Sequence, residues 1–311
     1  PLTIAGGALF LFWRELTGKL LFSEQGIGFY YYLQFPAMKF FVYGLGMLPN
    51  WWPAYNSGYP ISLTLEGFLN PIFLLTLKFL PPFLASNLIN FVFFVLNGLS
   101  LYALCRALQL SRTGSLVAAI SYAFSGAALK HIGQTVYFAI MPFLPLSFFC
   151  CLKILSGKIR WFWLWLPLLV YSLFGGFTEL TVYSLVAVGF FAVYLLFKNR
   201  KSENFSCRRL ILFFGAVALS VIILLPWFLP VLHFVSFSNR SGGVDVEAAS
   251  KMPTGLSTLI NMFYPRIYIP YGELLPFISL DTYDYIMYIG TFPLLLVLAR
   301  LFIKNKKEKG Y

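Results

Sequence analysis

The sequence has few charged residues and few of the residues that bind metals or form disulfides. Charged residues make up 11% of the 311 positions, and there are four cysteines and two histidines, with no HExxH or CxxC pattern. A zinc site is therefore not expected, because such sites need several His or Cys ligands. Glycine-rich phosphate loops of the GxxxxGK[ST] and GxGxxG kinds are also missing, so no sequence signal for nucleotide binding remains.

Apolar and aromatic residues dominate the chain instead. Hydrophobic residues make up 59% of it and the mean hydropathy is +0.78, values that a soluble domain could not carry without exposing apolar surface. Because a spanning helix needs about 20 apolar residues, the pattern predicts an all-α polytopic membrane protein with one domain, 1–311, and about eight transmembrane helices. The predicted helices cover 1–14, 84–107, 113–129, 136–156, 160–176, 180–197, 209–236 and 284–303.

Two long connections separate these helices. The first, 15–83, holds apolar stretches that are too short or too broken by Pro and Gly to span a membrane, so we expect interfacial helices there. The second connection is 237–283. Since the first apolar run is short and starts at Pro1, we interpret it as a truncated helix in a fragment of a longer protein.

Basic residues lie mostly in the loops of one side. The positive-inside rule assigns that side to the cytoplasm, and most acidic residues then lie outside. A net charge of +12 would favour nucleic acid as partner of a soluble protein, but here it belongs to membrane loops, so no nucleic acid is expected. The predicted cytoplasmic cations are Arg106, Arg112, Lys153, Lys158, Arg160, Lys198, Arg200, Lys201, Arg208, Arg209, Arg300, Lys304, Lys306, Lys307 and Lys309.

The stretch NWWPAYNSGYP lies in the first predicted outer loop. Trp51, Trp52, Tyr55 and Asn56 combine aromatic faces with short polar groups, the combination that binds the apolar face and the hydroxyls of a sugar. Trp and Tyr also collect at membrane interfaces whatever a protein does. A sugar site and an aromatic belt therefore both remain open.

Three outer carboxylates are candidates for chemistry. Glu24, just after the first helix, has the position of a general base for an acceptor hydroxyl, or of a solvated charge at a helix end. Glu66, among apolar neighbours, and Glu179, in a tight turn, should face protein or a wet cavity rather than lipid. For both, function and structural hydrogen bonding stay open.

A further outer turn, ALKHIGQTVYF, contains Lys130, His131 and Gln134. A cation and an imidazole there could stabilise the charge that develops on a phosphate or diphosphate leaving group. Arg266 in the last outer loop could serve the same anion. The simpler interpretation is a turn that caps two helices.

The order of several motifs resembles the YfhO family of bacterial membrane proteins. The motifs run along nearly the whole chain, and the most specific is the WWPAYNSGYP loop. In chain order they are EQGIGFYYYLQFP, LPNWWPAYNSGYPISL, NPIFLLTLKFLP, NGLSLYALCRALQLSRTGSLVAAISYAFSG, GGFTELTVYSLVAVG, MPTGLSTLINMFYP and YIGTFPLLLVL.

This family is similar to the GT-C class of integral membrane glycosyltransferases. The resemblance implies transfer of a sugar from a polyprenyl-phosphate-linked donor to a cell-envelope glycan or teichoic-acid-like acceptor, at the outer face of the bacterial plasma membrane. It implies Glu24 as catalytic base, where the family usually has Asp. Glu66 or Glu179 would bind sugar, acceptor or a divalent cation, the one cofactor left open, and the loop 51–56 would shape the pocket.

Two other classes of function compete with this hypothesis. A transporter or flippase for a lipid-linked sugar or another amphiphile would need polar groups deep within several helices. A scaffold of an envelope-assembly complex would need none of the outer acids. Replacing Glu24 separates the three, since only an enzyme would lose its activity while it remained folded.

Overall fold

The structure is a computed structural model that describes residues 2–17, 35–47, 51–52, 58, 60, 70–131, 135–175, 178–198, 207–237, 243, 295 and 298–299. These residues are almost entirely helical, which confirms the all-α prediction. The helices are α1 (Leu2–Leu16), α2 (Phe35–Lys39), α3 (Pro71–Phe79), α4 (Pro82–Ala107), α5 (Arg112–Ala123), α6 (Gly126–His131), α7 (Thr135–Ile140), α8 (Phe143–Leu155), α9 (Phe162–Gly175), α10 (Thr178–Lys198) and α11 (Cys207–Val235).

Four stretches are long and apolar enough to cross a membrane. They are Pro82–Ala107, Tyr137–Leu155, Thr178–Lys198 and Arg208–Val235, and the shorter Ile159–Gly175 is also apolar. The protein is therefore membrane-embedded, as its composition indicates. The predicted eighth helix, 284–303, and the predicted loop 237–283 lie almost wholly outside the described residues.

Two predicted helices are interrupted. The predicted helix 113–129 ends at Ala123 and restarts at Gly126, where the Ser125 hydroxyl accepts the Ala128 N–H at 3.3 Å and so caps the new helix. The predicted helix 136–156 has a turn at Met141 and Pro142, because proline has no N–H to give to the preceding turn.

The described part of the first predicted loop folds into short helices, and their position along the membrane interface stays a prediction. Helix α2 continues into a π-helical turn, Phe40–Gly44, and α3 precedes α4. The Lys39 amine donates to the Leu80 carbonyl at 2.7 Å, and the Tyr43 hydroxyl donates to the Leu74 carbonyl at 2.5 Å. These bonds hold the two short helices side by side.

Helix α4 lies at the centre of the first apolar cluster. Antiparallel α1 packs along it, with Phe12 edge-on to Phe94 at 4.9 Å between ring centroids. A Cβ at Gly98 would lie 2.8 Å from Cγ2 of Ile4, so the two helices approach closely there.

The second apolar cluster joins α8, α9, α10 and α11. Its centre is Trp165, which stacks on Phe213 with ring centroids 4.6 Å apart and planes 7° from parallel. The Trp165 indole N–H donates to the Phe213 carbonyl at 3.1 Å, so the buried indole is satisfied.

Helix ends that the charge pattern assigns to one side of the membrane meet in the structure. The Asn87 side chain donates to the Glu15 carbonyl at 2.8 Å, joining the end of α1 to the start of α4; we call this the predicted outer end. The Arg209 guanidinium donates to the Leu155 carbonyl at 3.2 Å, joining the start of α11 to the end of α8; we call this the predicted inner end.

Candidate functional site

Asn70 attaches the first predicted loop to the helix bundle. Its side chain is fully buried, and its side-chain oxygen accepts the N–H groups of Ile72 and Phe73 at 2.9 and 3.4 Å, which caps α3. Its amide group donates to the Tyr171 hydroxyl at 2.8 Å and to the Gly175 carbonyl. Both lone pairs of the side-chain oxygen and both N–H groups of the side-chain nitrogen therefore have partners, and α3 is fixed to α9.

Gly175 allows this close approach. A Cβ at Gly175 would lie 3.1 Å from the Asn70 side-chain nitrogen and 3.4 Å from Cδ of Pro71. The Asn70–Pro71 pair and the glycine at the end of α9 therefore fit each other. Proline at the first helical position of α3 needs no hydrogen-bond acceptor for its nitrogen.

The two tryptophans of the WWPAYNSGYP stretch have different environments. Trp52 is 5% exposed and belongs to the first apolar cluster, together with Phe35, Met38 and Phe73. Trp51 is 56% exposed. The indole of Trp51, and not that of Trp52, is thus accessible for stacking on a ligand; the predicted contact of Trp52 with a sugar stays a prediction.

Gly58 supports the exposed indole. Its φ is +122°, and a Cβ there would lie 2.1 Å from Cζ2 of Trp51. The indole of Trp51 therefore lies directly against the Gly58 backbone, and only glycine fits. Tyr55 and Asn56 lie outside the described residues.

Glu15 is a carboxylate at the predicted outer end that the sequence analysis does not single out. Its backbone carbonyl accepts the Asn87 side chain, while its Oε2 is buried and has no hydrogen-bond partner among the described residues. The Ser86 hydroxyl, in the neighbouring first turns of α4, is also buried without a partner there. Buried polar groups usually have partners, so these two atoms mark where a ligand hydroxyl or a water would gain hydrogen bonds.

Helix α4 carries further buried polar side chains along one stripe. Asn97 donates to the sulfur of Met141 at 3.7 Å, while its Oδ1 is buried and accepts no hydrogen bond in the described part of the chain. The sequence indicates these buried positions, since asparagines within a spanning helix are costly in lipid and face the protein interior. The buried polar residues of α4 are Ser86, Asn87, Asn90, Asn97 and Ser100.

Glu179 is exposed and lies in the first turn of α10. A negative charge there interacts favourably with the helix dipole. The neighbouring Thr181 hydroxyl donates to the Ser172 carbonyl at 3.0 Å, and Thr178 donates to the Leu173 carbonyl at 3.2 Å. The threonines, not the carboxylate, join α10 to α9.

The remaining predicted site residues cannot be placed relative to this geometry. Lys130 and His131 end α6, but their side chains are not described. Glu24, Glu66, Gln134 and Arg266 lie outside the described residues. The structure therefore describes Trp51, the Asn70 attachment and Glu15 separately, and the role of Glu24 as base stays a prediction.

Metal binding has no support from the described residues, among which no three His, Cys, Asp or Glu side chains are grouped closely enough to hold an ion. No protein-family model, curated protein or solved structure matches the chain. The resemblance to the YfhO family thus rests on the sequence motifs alone.

Proposed function

We propose that the protein is an integral membrane glycosyltransferase of the GT-C type, with about eight transmembrane helices. It transfers a sugar from a polyprenyl-phosphate-linked donor to a cell-envelope acceptor at the extracytoplasmic face of the bacterial plasma membrane. The observation that carries the proposal is the attachment of the first predicted loop to the bundle through Asn70. That attachment fixes the end of the predicted loop 15–83 to α9 at the predicted outer end, which supports a role for this loop at that face.

The chemistry is a single displacement. Glu24 takes the proton from the acceptor hydroxyl as its oxygen bonds to the anomeric carbon, and the bond from that carbon to the donor phosphate breaks. The polyprenyl phosphate leaves, and the anomeric centre is inverted. Lys130, His131 or Arg266 stabilises the leaving phosphate, and Glu66 or Glu179 binds the sugar or the acceptor.

The test compares Glu24→Gln with two matched variants, Glu15→Gln and Glu179→Gln, in the purified full-length protein. Removal of a general base should lower transfer about a hundredfold or more, with unchanged thermal unfolding. We expect that loss in kcat for Glu24→Gln, whereas Glu179→Gln, which removes a group proposed to bind the sugar or the acceptor, should mainly raise KM. A loss confined to Glu15→Gln would move the role of base to the carboxylate whose Oε2 is buried beside Asn87.

A second candidate, a transporter or flippase for a lipid-linked sugar, is favoured by the buried asparagines of α4. Asn90 and Asn97 are fully buried in the middle of a spanning helix, and polar groups at such depth often line a substrate path. They also serve as hydrogen bonds between helices. The test measures translocation of a lipid-linked sugar in proteoliposomes. Translocation that is reduced by Asn97→Leu but not by Glu24→Gln would favour the transporter over the enzyme.

A further inference from the structure

The C-terminus of α8, at the predicted inner end, is a compact basic structure. Gly157 has a φ of +92°, and its N–H bonds to the Ile154 carbonyl at 3.0 Å, while the Lys158 N–H bonds to the Lys153 carbonyl at 2.9 Å. This pair of bonds is a Schellman motif, which ends a helix with a glycine in the left-handed conformation. The motif turns the chain back so that Lys158 follows directly over the last turn of α8.

Arg209 of α11 completes the cap. Its guanidinium donates to the Leu155 carbonyl, and a Cβ at Gly157 would lie 3.1 Å from Nη1 of Arg209. Glycine at this position therefore serves both the backbone conformation and the approach of the guanidinium. The negative end of the α8 dipole attracts such cations.

Two aromatic rings in this region each lie beside a further cation. The Phe149 and Trp161 rings meet edge to face with centroids 4.7 Å apart. The Lys153 amine lies 5.3 Å from the Phe149 centroid, and Cζ of Arg160 lies 5.9 Å from the Trp161 centroid. We call Lys153, Lys158, Arg160 and Arg209 the cap cluster.

The cap cluster gathers four cations at one helix terminus. The charges of Lys158 and Arg160 lie close enough to Lys153 to repel it. The two carboxylates within the described residues, Glu15 and Glu179, both belong to the predicted outer end. Topology by itself requires cations in this loop, but it does not require them to be gathered on one helix terminus, where they repel one another.

The surroundings select the type of anion. Ile159 is 53% exposed and Trp163 is 76% exposed, and both flank Arg160 at the start of α9. Basic pockets between membrane helices on the cytoplasmic side bind anionic headgroups. An inorganic anion would gain nothing from the two apolar side chains, whereas a lipid would cover them.

We propose that the cap cluster binds the phosphate of an anionic phospholipid headgroup, with the apolar part of the lipid against Ile159 and Trp163. The site lies at the opposite end of the bundle from the proposed sugar transfer and does not depend on that activity. It would hold the ends of α8, α9 and α11 together at the membrane surface.

Native mass spectrometry of the delipidated full-length protein in neutral detergent tests this site. The protein is titrated with phosphatidylglycerol, with zwitterionic phosphatidylcholine, and with inorganic phosphate. We compare wild type with the double variant Lys158→Gln/Arg160→Gln and with Arg106→Gln/Arg112→Gln. All four of these side chains are exposed and belong to the predicted inner end, so the second pair controls for attraction of lipid by any cation.

We expect tight binding of phosphatidylglycerol to be weakened about thirtyfold by Lys158→Gln/Arg160→Gln, since each Lys or Arg near an anionic surface contributes about a factor of five. The control pair should change it less than fivefold. Equal losses in both pairs, or equal affinity for phosphatidylcholine, would overturn the proposal. Inorganic phosphate that binds as tightly as phosphatidylglycerol would overturn the assignment to a lipid.

Discussion

At the scale of single residues, Asn70 shows how one amide connects a loop to a membrane bundle. It caps α3 with its oxygen and reaches α9 with its nitrogen, at Tyr171 and Gly175. The cap stabilises α3 itself, whereas the other two hydrogen bonds stabilise the contact between helices, so the two contributions to the free energy of unfolding add. A variant of Asn70 should therefore lose more stability than a variant of an ordinary cap.

Asn70→Ala should lower the free energy of unfolding by about 3 kcal/mol, about 1 from the cap and about 1 from each bond between helices. Ser111→Ala is the control, because Ser111 caps α5 through the Gly114 N–H at 3.0 Å, a hydrogen bond within that helix; it should cost about 1 kcal/mol. Chemical unfolding in detergent measures both variants. Equal losses would show that the bonds to α9 contribute nothing.

Gly58→Ala should destabilise the loop that carries Trp51. The new Cβ would overlap the indole, in addition to the cost of a left-handed backbone. Gly46→Ala is the control, since Gly46 has a φ of +67° and open space around it; it should cost about 1–2 kcal/mol. Thermal unfolding should show a larger loss for Gly58→Ala, and Trp51→Ala in the same chain should recover the excess. An excess that persists without the indole contradicts the packing described.

At the scale of elements, the pairing of α1 with α4 depends on a glycine. The short helix α1 has 15 residues and lies along α4 from the Asn87–Glu15 bond to the contact of Gly98 with Ile4. Small residues at helix contacts in membranes let backbones approach and pack by van der Waals forces. The contact should thus tolerate no added atom at Gly98 unless Ile4 becomes smaller.

Gly98→Ala should cost about 1–3 kcal/mol, the usual effect of overpacking, and Ile4→Ala in the same chain should relieve part of it. Gly189→Ala is the control within a helix, because a Cβ there meets only Cζ of Phe214 at an ordinary 3.9 Å. That control should be neutral or stabilising by up to about 1 kcal/mol. Unfolding measurements on wild type, Gly98→Ala, Ile4→Ala and the double variant form a double-mutant cycle, and a coupling energy of zero would contradict the contact.

The sequence predicts helices better than it predicts interruptions within them. Apolar length locates α4, α10 and α11 to within a few residues, because each forms one continuous apolar run. The turn at Met141–Pro142 was missed because proline near the start of a predicted helix is compatible with several helix boundaries. The anchoring role of Asn70 was missed for another reason, since its partners Tyr171 and Gly175 are about a hundred positions away in the chain.

At the scale of the whole molecule, helix ends that the charge pattern assigns to the same side lie together among the described residues, while the side of the membrane on which each group lies stays a prediction. Glu15 meets Asn87 and Asn70 meets Gly175 at one end, while Leu155 meets Arg209 at the other. The charge pattern could predict this grouping because basic loops alternate with less basic ones along the chain, which assigns each helix end to one side. It could not predict which polar atoms at the outer end lack partners, which depends on side-chain packing between α1 and α4.

The sidedness has a direct test in a cysteine-free version of the protein. Leu110 and Ser236 are exposed at helix ends assigned to opposite sides. A membrane-impermeant maleimide added to intact cells should label Ser236→Cys, and should label Leu110→Cys only after permeabilisation. The reverse labelling would place the candidate site in the cytoplasm and would contradict an extracytoplasmic transfer.

The measurement that tests the central claim most directly is transfer of a labelled sugar by the full-length protein in proteoliposomes, from a polyprenyl-phosphate donor to an envelope-glycan acceptor. The account predicts a product of inverted anomeric configuration, formed by wild type but reduced about a hundredfold or more in folded Glu24→Gln. Donor binding without any product, across several sugar donors, would contradict the enzyme and leave the transporter as the better account.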